Sequence, residues 1–247
     1  MSALGRSLVR RASPRASSKL QARLHRSFQS DASVEGSSSR RSATEELIYP
    51  ESPTSNHNDL PTFLQYAERS GLDPKSTTFV GTHFEYVVAN SLSQLGFSLR
   101  RIGGSSDFGI DLLGEWSVPS SDRPLRVLVQ CKSIQRPGPH LIRELEGAFA
   151  GAPPGWRGSG VLGLLATEKP ATKGIRDALG RSRWPMGFIS CSRAGYLHQM
   201  LWNHRAEQEG LEGMGVGLKY PGDGGERQLS LTWKGKHLPS VEETPGG

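Results

Sequence analysis

Two short stretches set polar groups at the ends of strand-like sequence. In Gly109-Ile-Asp111-Leu a carboxylate stands between apolar neighbours, and in Val127-Leu-Val-Gln130-Cys-Lys132 an apolar run gives way to an amide and an ammonium. Side chains alternate along a strand, so Val127, Val129 and Cys131 share one face while Leu128, Gln130 and Lys132 share the other. Pro119, Ser120, Ser121, Asp122 and Pro124 lie between the two stretches and read as a turn, which makes the pair an antiparallel hairpin. A turn centred near Ser121 puts Asp111 opposite Gln130 or Cys131. The Asp111 carboxylate, the Gln130 amide oxygen, the Cys131 backbone carbonyl and the Lys132 ammonium then converge. Hard oxygen donors of this kind suit Mg²⁺ or Mn²⁺, with waters and a phosphate completing the shell.

A second carboxylate lies beside the core. Val80, Phe84, Val88, Leu92 and Leu95 recur at helical spacing up to Gly96, and Glu85 falls about 100° from Phe84, at the border of that apolar stripe. An acid beside a core needs a partner. The candidates are the metal, Lys132, Arg100 or Arg101. Other groups receive plainer readings. Asp107 shapes a turn with Gly103, Gly104 and Gly109, and Glu144 and Glu146 favour the start of a helix. Cys131 faces the core. The histidines are scattered and form no metal site, and Gly213-Met-Gly-Val-Gly217 lacks the strand and helix of a dinucleotide fingerprint.

The elements that must position these groups form one α/β unit. After the Val80–Leu95 helix come strands at Phe97–Ile102, Ile110–Trp116 and Leu125–Lys132. A helix marked by Leu141, Leu145, Ala148 and Phe149 follows, then a buried strand at Val161–Ala166, a helix at Thr172–Leu179 and a third-layer strand at Met186–Cys191. Strand, helix, strand implies a parallel crossover. Leu197, Met200 and Leu201 predict a helix over Tyr196–Glu209. Gly215–Tyr220 and Gln228–Trp233, joined through Pro221-Gly-Asp-Gly-Gly225, predict a final hairpin. The order α-β-β-β-α-β-α-β packs as a sandwich around a mixed sheet.

The chain has 247 residues with 30 basic and 24 acidic side chains. Nine of the basic groups fall in residues 1–41 against only Asp31 and Glu35, so the remainder holds 21 basic and 22 acidic groups. A uniformly basic nucleic-acid coat is thereby excluded, although a local groove is not. Met1–Ser30 contains no acid and is rich in Arg and Ser, with Leu4, Leu8 and Val9 at helical spacing. That is the composition of a mitochondrial presequence, and Arg26-Ser-Phe28 resembles its processing sites. The expected organisation is a presequence and basic tail over 1–41, a disordered linker over 42–60, the folded domain over 61–238 and a disordered tail over 239–247. Two cysteines give no disulfide framework. The longest apolar run, Gly160–Ala166, falls far short of the roughly 20 residues that span a bilayer.

Glu85 on a leading helix, Gly109-Ile-Asp111, and Gln130-Cys-Lys132 before a helix together resemble the PD-(D/E)XK nuclease superfamily, specifically its Mrr-like branch. The presequence, Gly103-Gly-Ser-Ser-Asp-Phe-Gly-Ile-Asp-Leu-Leu113, Arg143-Glu-Leu-Glu-Gly147, Arg183-Trp-Pro185 and Leu201-Trp-Asn-His-Arg-Ala206 add a resemblance to the fungal mitochondrial "required for respiratory growth" family that carries this domain. The resemblance implies a restriction-endonuclease-like three-layer sandwich with a C-terminal helix and hairpin. It also implies a metal-dependent nuclease in the mitochondrial matrix, with Mg²⁺ or Mn²⁺ as cofactor and mitochondrial DNA or RNA as partner. Asp111 would be a metal ligand, Gln130 would fill the acidic position, Lys132 would orient the attacking water, and Glu85 would complete the set. Arg100, Arg101, Arg136 and Arg143 would hold the nucleic-acid backbone. Two departures stand out. Ile110 replaces the motif proline, and Gln130 replaces an Asp or Glu, which removes a negative charge and weakens metal affinity. The alternative is an inactive nuclease-like fold that serves mitochondrial gene expression by binding nucleic acid or by aiding assembly.

Overall fold

The computed structural model describes residues 47, 49–51, 54–104, 109–220 and 227–239. The presequence, Asp107, the Pro221–Gly225 turn and the tail beyond Pro239 lie outside the described residues. Helix α1 (Leu60–Ser70) opens the folded part. Asp59 caps it by accepting from the Thr62 backbone N–H at 2.8 Å, the Thr62 hydroxyl answers toward the Asp59 backbone, and Gly71 ends it in the left-handed conformation at φ 63°. It buries Phe63 and Ala67. Helical spacing was expected to begin only near Val80; the cue for α1 lies instead in Asp59, Pro61 and Gly71. Ahead of it Leu47 and Tyr49 pack against the core, a contact that reading 42–60 as a linker does not include.

Helix α2 (Thr77–Ser93) starts at Ser76, whose hydroxyl accepts from Phe79 N, and leads into β1 (Phe97–Arg101), β2 (Leu112–Trp116) and β3 (Leu125–Lys132). There follow α3 (His140–Gly151), β4 (Val161–Thr167), α4 (Lys173–Arg181), β5 (Met186–Cys191) and β6 (Leu197–Trp202). The six strands form one sheet in chain order, β1 to β6. β1, β2 and β3 are antiparallel, β3, β4 and β5 are parallel, and β6 is antiparallel to β5. The sheet is therefore mixed, with the expected parallel crossovers through α3 and α4. β5 sits inside it, between β4 and β6, and not in a third layer.

Strand alternation divides the apolar side chains between two cores. Val127, Val129, Leu112, Leu164 and Ile189 face α2 with Phe84, Val88 and Leu92. Leu128, Leu113, Leu165 and Phe188 face α3 and α4 with Leu145, Phe149 and Ile175. Helices thus cover both faces. A second, three-stranded sheet of β7 (Met214–Lys219), β8 (Gln228–Trp233) and β9 (Lys236–His237) adds Met214, Leu229 and Leu231 to the α2 side.

The helix expected over Tyr196–Glu209 is corrected. Residues 197–202 are strand β6, followed only by a short helix, α5 (His204–Ala206), and a π-type turn at Glu207–Leu211. The cause is a bulge. Ser190 pairs with Gln199 but Cys191 pairs with Leu197, so His198 is an extra residue, exposed and unmatched. It stretches the period of two to a spacing of three between buried Leu197 and Met200, and this spacing imitates a helix.

Candidate functional site

The hairpin register fixes the site. Leu112 pairs with Val129, one step from the register predicted by a turn at Ser121, and Asp111 stands just before β2 at the end where Gln130 follows Val129. Asp111 N donates to Val129 O at 2.9 Å, and both Ile102 N and Gly103 N donate to Asp111 O, at 2.8 and 2.9 Å. These three bonds hold the Asp111 backbone between the ends of β1 and β3. Its carboxylate then accepts from Cys131 N at 2.6 Å. Val129 and Cys131, two residues apart, direct their backbone groups to the same side, so the Cys131 carbonyl shares the edge where the Asp111 carboxylate lies.

Glu85 comes to this edge from α2. A Cβ on Gly103 would lie 3.1 Å from Glu85 Oε2 and 3.2 Å from Asp111 Oδ1, so the two carboxylates flank a position where any larger residue would crowd them. A Cβ on Gly109, at φ 75°, would lie 3.2 Å from Gln130 Nε2. Gly103 and Gly109 thus let their own backbone lie close to these three polar side chains. Gln130 is 3% exposed, and its Oε1 is buried without a hydrogen-bond partner among the described residues. An orphaned buried acceptor is uncommon. Here it lies between Val129 and Cys131, whose backbone groups both bond Asp111.

Glu85 also has the arginine partner that its position required. Arg101 Nε donates to Glu85 Oε2, both side chains are 12% exposed, and Arg101 Nη2 reaches Thr82 Oγ1 at 3.5 Å. The guanidinium lies 5.8 Å from the Tyr86 ring centroid, and Tyr86 in turn meets His57 Nδ1 at 2.7 Å. Burial first and the Arg101 charge second push the His57 pKa below its ordinary value. Arg101, expected to hold nucleic-acid backbone, is engaged within the domain. Arg100 stacks its guanidinium 4.4 Å over Tyr49. Arg136 and Arg143 are exposed, Arg143 in the first turn of α3.

Lys132 shares the Gln130 face and approaches α3, where its Nζ lies 3.3 Å from Glu144 Oε2; the two side chains are 34% and 45% exposed. The structure therefore gives Glu144 a partner that its helix-start position did not suggest. Lys132 also begins a cross-strand row in which it pairs with Thr167, Thr167 with Ser190 and Ser190 with Gln199. On the opposite face, Ser133 and Arg193 both bind Glu168, with Arg193 Nε at 2.9 Å and the Glu168 side chain only 10% exposed. Sequence reasoning missed this trio, because its members come from three segments that only the parallel strands bring together. The Cys131 thiol is pushed well above its usual pKa, mainly by burial and further by Asp111 and Glu85, and burial lifts Cys191 to about 11. Neither is a ready nucleophile. No group of three or more His, Cys, Asp or Glu forms a metal cluster among the described residues, and none of their helices is long and apolar enough to cross a membrane.

Relatives carry the same region. The chain is 34% identical over 155 residues to an uncharacterized mitochondrial protein of Schizosaccharomyces pombe, a match covering 61% of each. It is 34% identical over 122 residues to the mitochondrial Required for respiratory growth protein 7 of Eremothecium gossypii, covering 34% of this chain and 51% of that one. The Zygosaccharomyces rouxii protein of the same name is 27% identical over 167 residues, covering 51% of this chain and 69% of its own length. The chain thus spans about three-fifths of the first of these relatives and about half of the second. No solved structure matches it. The family described as Required for respiratory growth protein 7 matches residues 76–123 and 118–218, a region that runs from the α2 cap through the whole six-stranded sheet and includes Glu85, Asp111, Gln130 and Lys132. With more than half of its length and every element of the site inside that match, the chain belongs to the Required for respiratory growth protein 7 family.

Proposed function

We propose that the protein is a mitochondrial, metal-dependent phosphodiesterase of the PD-(D/E)XK, restriction-endonuclease-like kind, acting on nucleic acid. The observation that carries this reading is the buried Gln130 Oε1, without a partner among the described residues, on the residue between Val129 and Cys131, both of which bond Asp111. The donor set fits a hard divalent cation such as Mg²⁺ or Mn²⁺: Asp111 and Gln130 would hold it, with the Cys131 carbonyl and Glu85 on the same edge. When bound there, the ion would polarise the scissile phosphate. Asp111 is held for that task by Cys131 N, and Glu85 is oriented by Arg101. Lys132 would leave its half-exposed pairing with Glu144 to orient water and meet the charge that develops on the phosphate. Arg136 and Arg143 would contact the backbone.

A site with an amide in place of one carboxylate should bind metal weakly, with a dissociation constant on the order of millimolar, as in other low-charge oxygen sites. Mn²⁺-induced water relaxation with full-length protein should detect it, and Asp111→Asn should remove it while Gln130→Glu strengthens it. Wild type and Asp111→Asn giving identical titrations would refute the metal site. Gln130 in the acidic position and the near balance of 21 basic against 22 acidic groups outside residues 1–41 favour a second reading, a nuclease-like fold that binds nucleic acid or aids assembly in mitochondrial gene expression without cleaving. Incubation with Mg²⁺ or Mn²⁺ and duplex DNA, single strands and RNA separates the two. Import to the matrix rests on the acid-free basic segment over 1–30 and on relatives named mitochondrial. A fluorescent fusion lacking 1–41 should lose its mitochondrial location, and retained targeting would overturn that part.

A further inference from the structure

Two strings singled out in the sequence, Arg183-Trp-Pro185 and Leu201–Ala206, take no part in the site at the C-terminal ends of β3 and β4. The fold joins them at the opposite edge of the sheet, and the joint is Asn203. This side chain, 5% exposed, uses its amide four ways. Its Nδ2 donates to Leu179 O at 3.1 Å and to Trp184 O at 2.8 Å, while its Oδ1 accepts from Met186 N at 3.2 Å and Ala206 N at 3.1 Å. Trp184 N in turn donates to Ser182 Oγ at 3.2 Å, and Ser182 is tied to Glu146 on α3 at 2.6 Å. The Trp184 backbone is therefore fixed at both its amide and its carbonyl.

This anchoring does not bury the side chain. The indole stacks on Phe149, centroid to centroid 5.3 Å at 22°, and Phe149 is 2% exposed, yet Trp184 stays 40% exposed. The aromatic ring is thus backed by a core residue and partly open to solvent. Its surroundings are basic: Arg181 and Arg183 precede it, and His204 and Arg205 follow Asn203, all four exposed. The acids close by have partners, Asp177 with Lys173, Glu207 with His204 and Glu146 with Ser182. A partly exposed indole that follows two exposed arginines in the chain fits a base and its phosphates.

We propose that Trp184 is a stacking platform for an unpaired nucleobase, with Arg181 and Arg183 holding the flanking phosphates, so that the protein takes single-stranded nucleic acid. The inference rests on the nucleic-acid reading above and names the substrate form. Base pairs within a duplex hide the faces that such a ring needs; single strands expose them. Helix α3 supplies the path between the two places. It carries Arg143 in its first turn, beside the Glu144 that pairs with Lys132, and Phe149 six residues on, about 9 Å along at 1.5 Å per residue. Its exposed line, Arg143, Gly147 and Ala150, raises no bulky side chain between them.

The test is fluorescence anisotropy of full-length protein in EDTA, which prevents cleavage, with labelled single-stranded DNA, single-stranded RNA and blunt duplex of about 12 nucleotides, within the range of single-strand sites. Trp184→Leu keeps the apolar bulk but not the π-face. It should weaken single-strand binding by roughly 5- to 150-fold, the scale of one stacked base, while Trp184→Phe retains most of it. Arg183→Ala should lower the salt slope by about one. The DNA and RNA arms decide which strand chemistry is preferred. Equal binding by the Leu and Phe variants, equal losses on duplex and single strands, or no binding by wild type would each overturn the platform. Melting curves of both variants, matched to each other, keep folding out of the comparison. Trp184-dependent binding without any cleavage leaves the platform standing and removes the hydrolytic reading; metal-dependent cleavage indifferent to Trp184 does the reverse.

Discussion

Gly114→Ala is expected to cost the domain more than any other single methyl group, and to do so by tearing β1 from the sheet. Gly114 pairs with Leu99 across the β1–β2 ladder. A Cβ there would run into the Ser98 carbonyl oxygen and lie 2.8 Å from both Ser98 C and Leu99 Cα, all backbone atoms that cannot rotate away. Overpacking against movable side chains costs about 1–3 kcal/mol. Against fixed backbone the cost should exceed that range, a large part of the roughly 5–15 kcal/mol that holds a typical domain together. Gly163→Ala is the internal comparison. Its Cβ meets the Phe149 ring, whose Cζ would lie 2.9 Å away, and a ring can shift. Thermal melting should therefore show a drop on the order of 10 °C or no folded protein for Gly114→Ala, and a smaller drop for Gly163→Ala. The effect reaches the site because Arg101 ends β1 and holds Glu85. A Gly114→Ala chain that melts within a degree or two of wild type would mean that β1 can back away freely, and the account of how Glu85 is oriented would fall with it.

The parts of the site that were legible in the sequence are those whose placement depends on local periodicity. Gln130 and Lys132 were assigned to one face because alternation along β3 is uninterrupted, and Leu128 on the same face does lie in the core under α3 and α4. A turn whose centre can be judged to within a residue brings Asp111 to the end of β3, where it bonds Val129 and Cys131 on either side of Gln130. Glu85 was found from helix phase alone, and Arg101 was among its named partners. What local pattern could not carry was anything set by one irregular residue or by distant segments. His198 disguised β6 as a helix through a bulge that depends on its pairing with β5. The Asn203 joint needs the end of α4, the start of β5 and the start of α5 to meet, and its residues have no shared spacing in the chain. Helix α1 was a different failure: its cap at Asp59 and stop at Gly71 were readable, but only Phe63 and Ala67 are fully buried, too few to mark a period.

Lys132→Ala is expected to lower the rate of phosphodiester cleavage on the order of a hundredfold or more while leaving nucleic-acid binding nearly intact. One preorganised electrostatic group at the reacting centre acts on that scale, whereas one ammonium is a small part of a phosphate-contacting surface. The pairing with Glu144 does not argue against this role. At 3.3 Å, with both side chains a third or more exposed, it is a solvent-screened ion pair worth at most about 1 kcal/mol, which a bound phosphate can displace. Glu144→Gln should accordingly leave cleavage at or above the wild-type rate, and a loss there equal to that of Lys132→Ala would recast Lys132 as a residue whose work is the ion pair. Rates measured in vitro have to be set beside respiratory growth with the same alleles, since a contaminating nuclease would ignore Lys132 in the tube. A hydrolase predicts that Asp111→Ala, Lys132→Ala and the double variant all fail to support growth. A protein that only binds or assembles predicts no cleavage by any form and growth restored by Lys132→Ala as well as by wild type. Full rescue by both single variants and the double would remove the catalytic reading and leave the fold, the Arg101–Glu85 pair and the Trp184 platform as they stand.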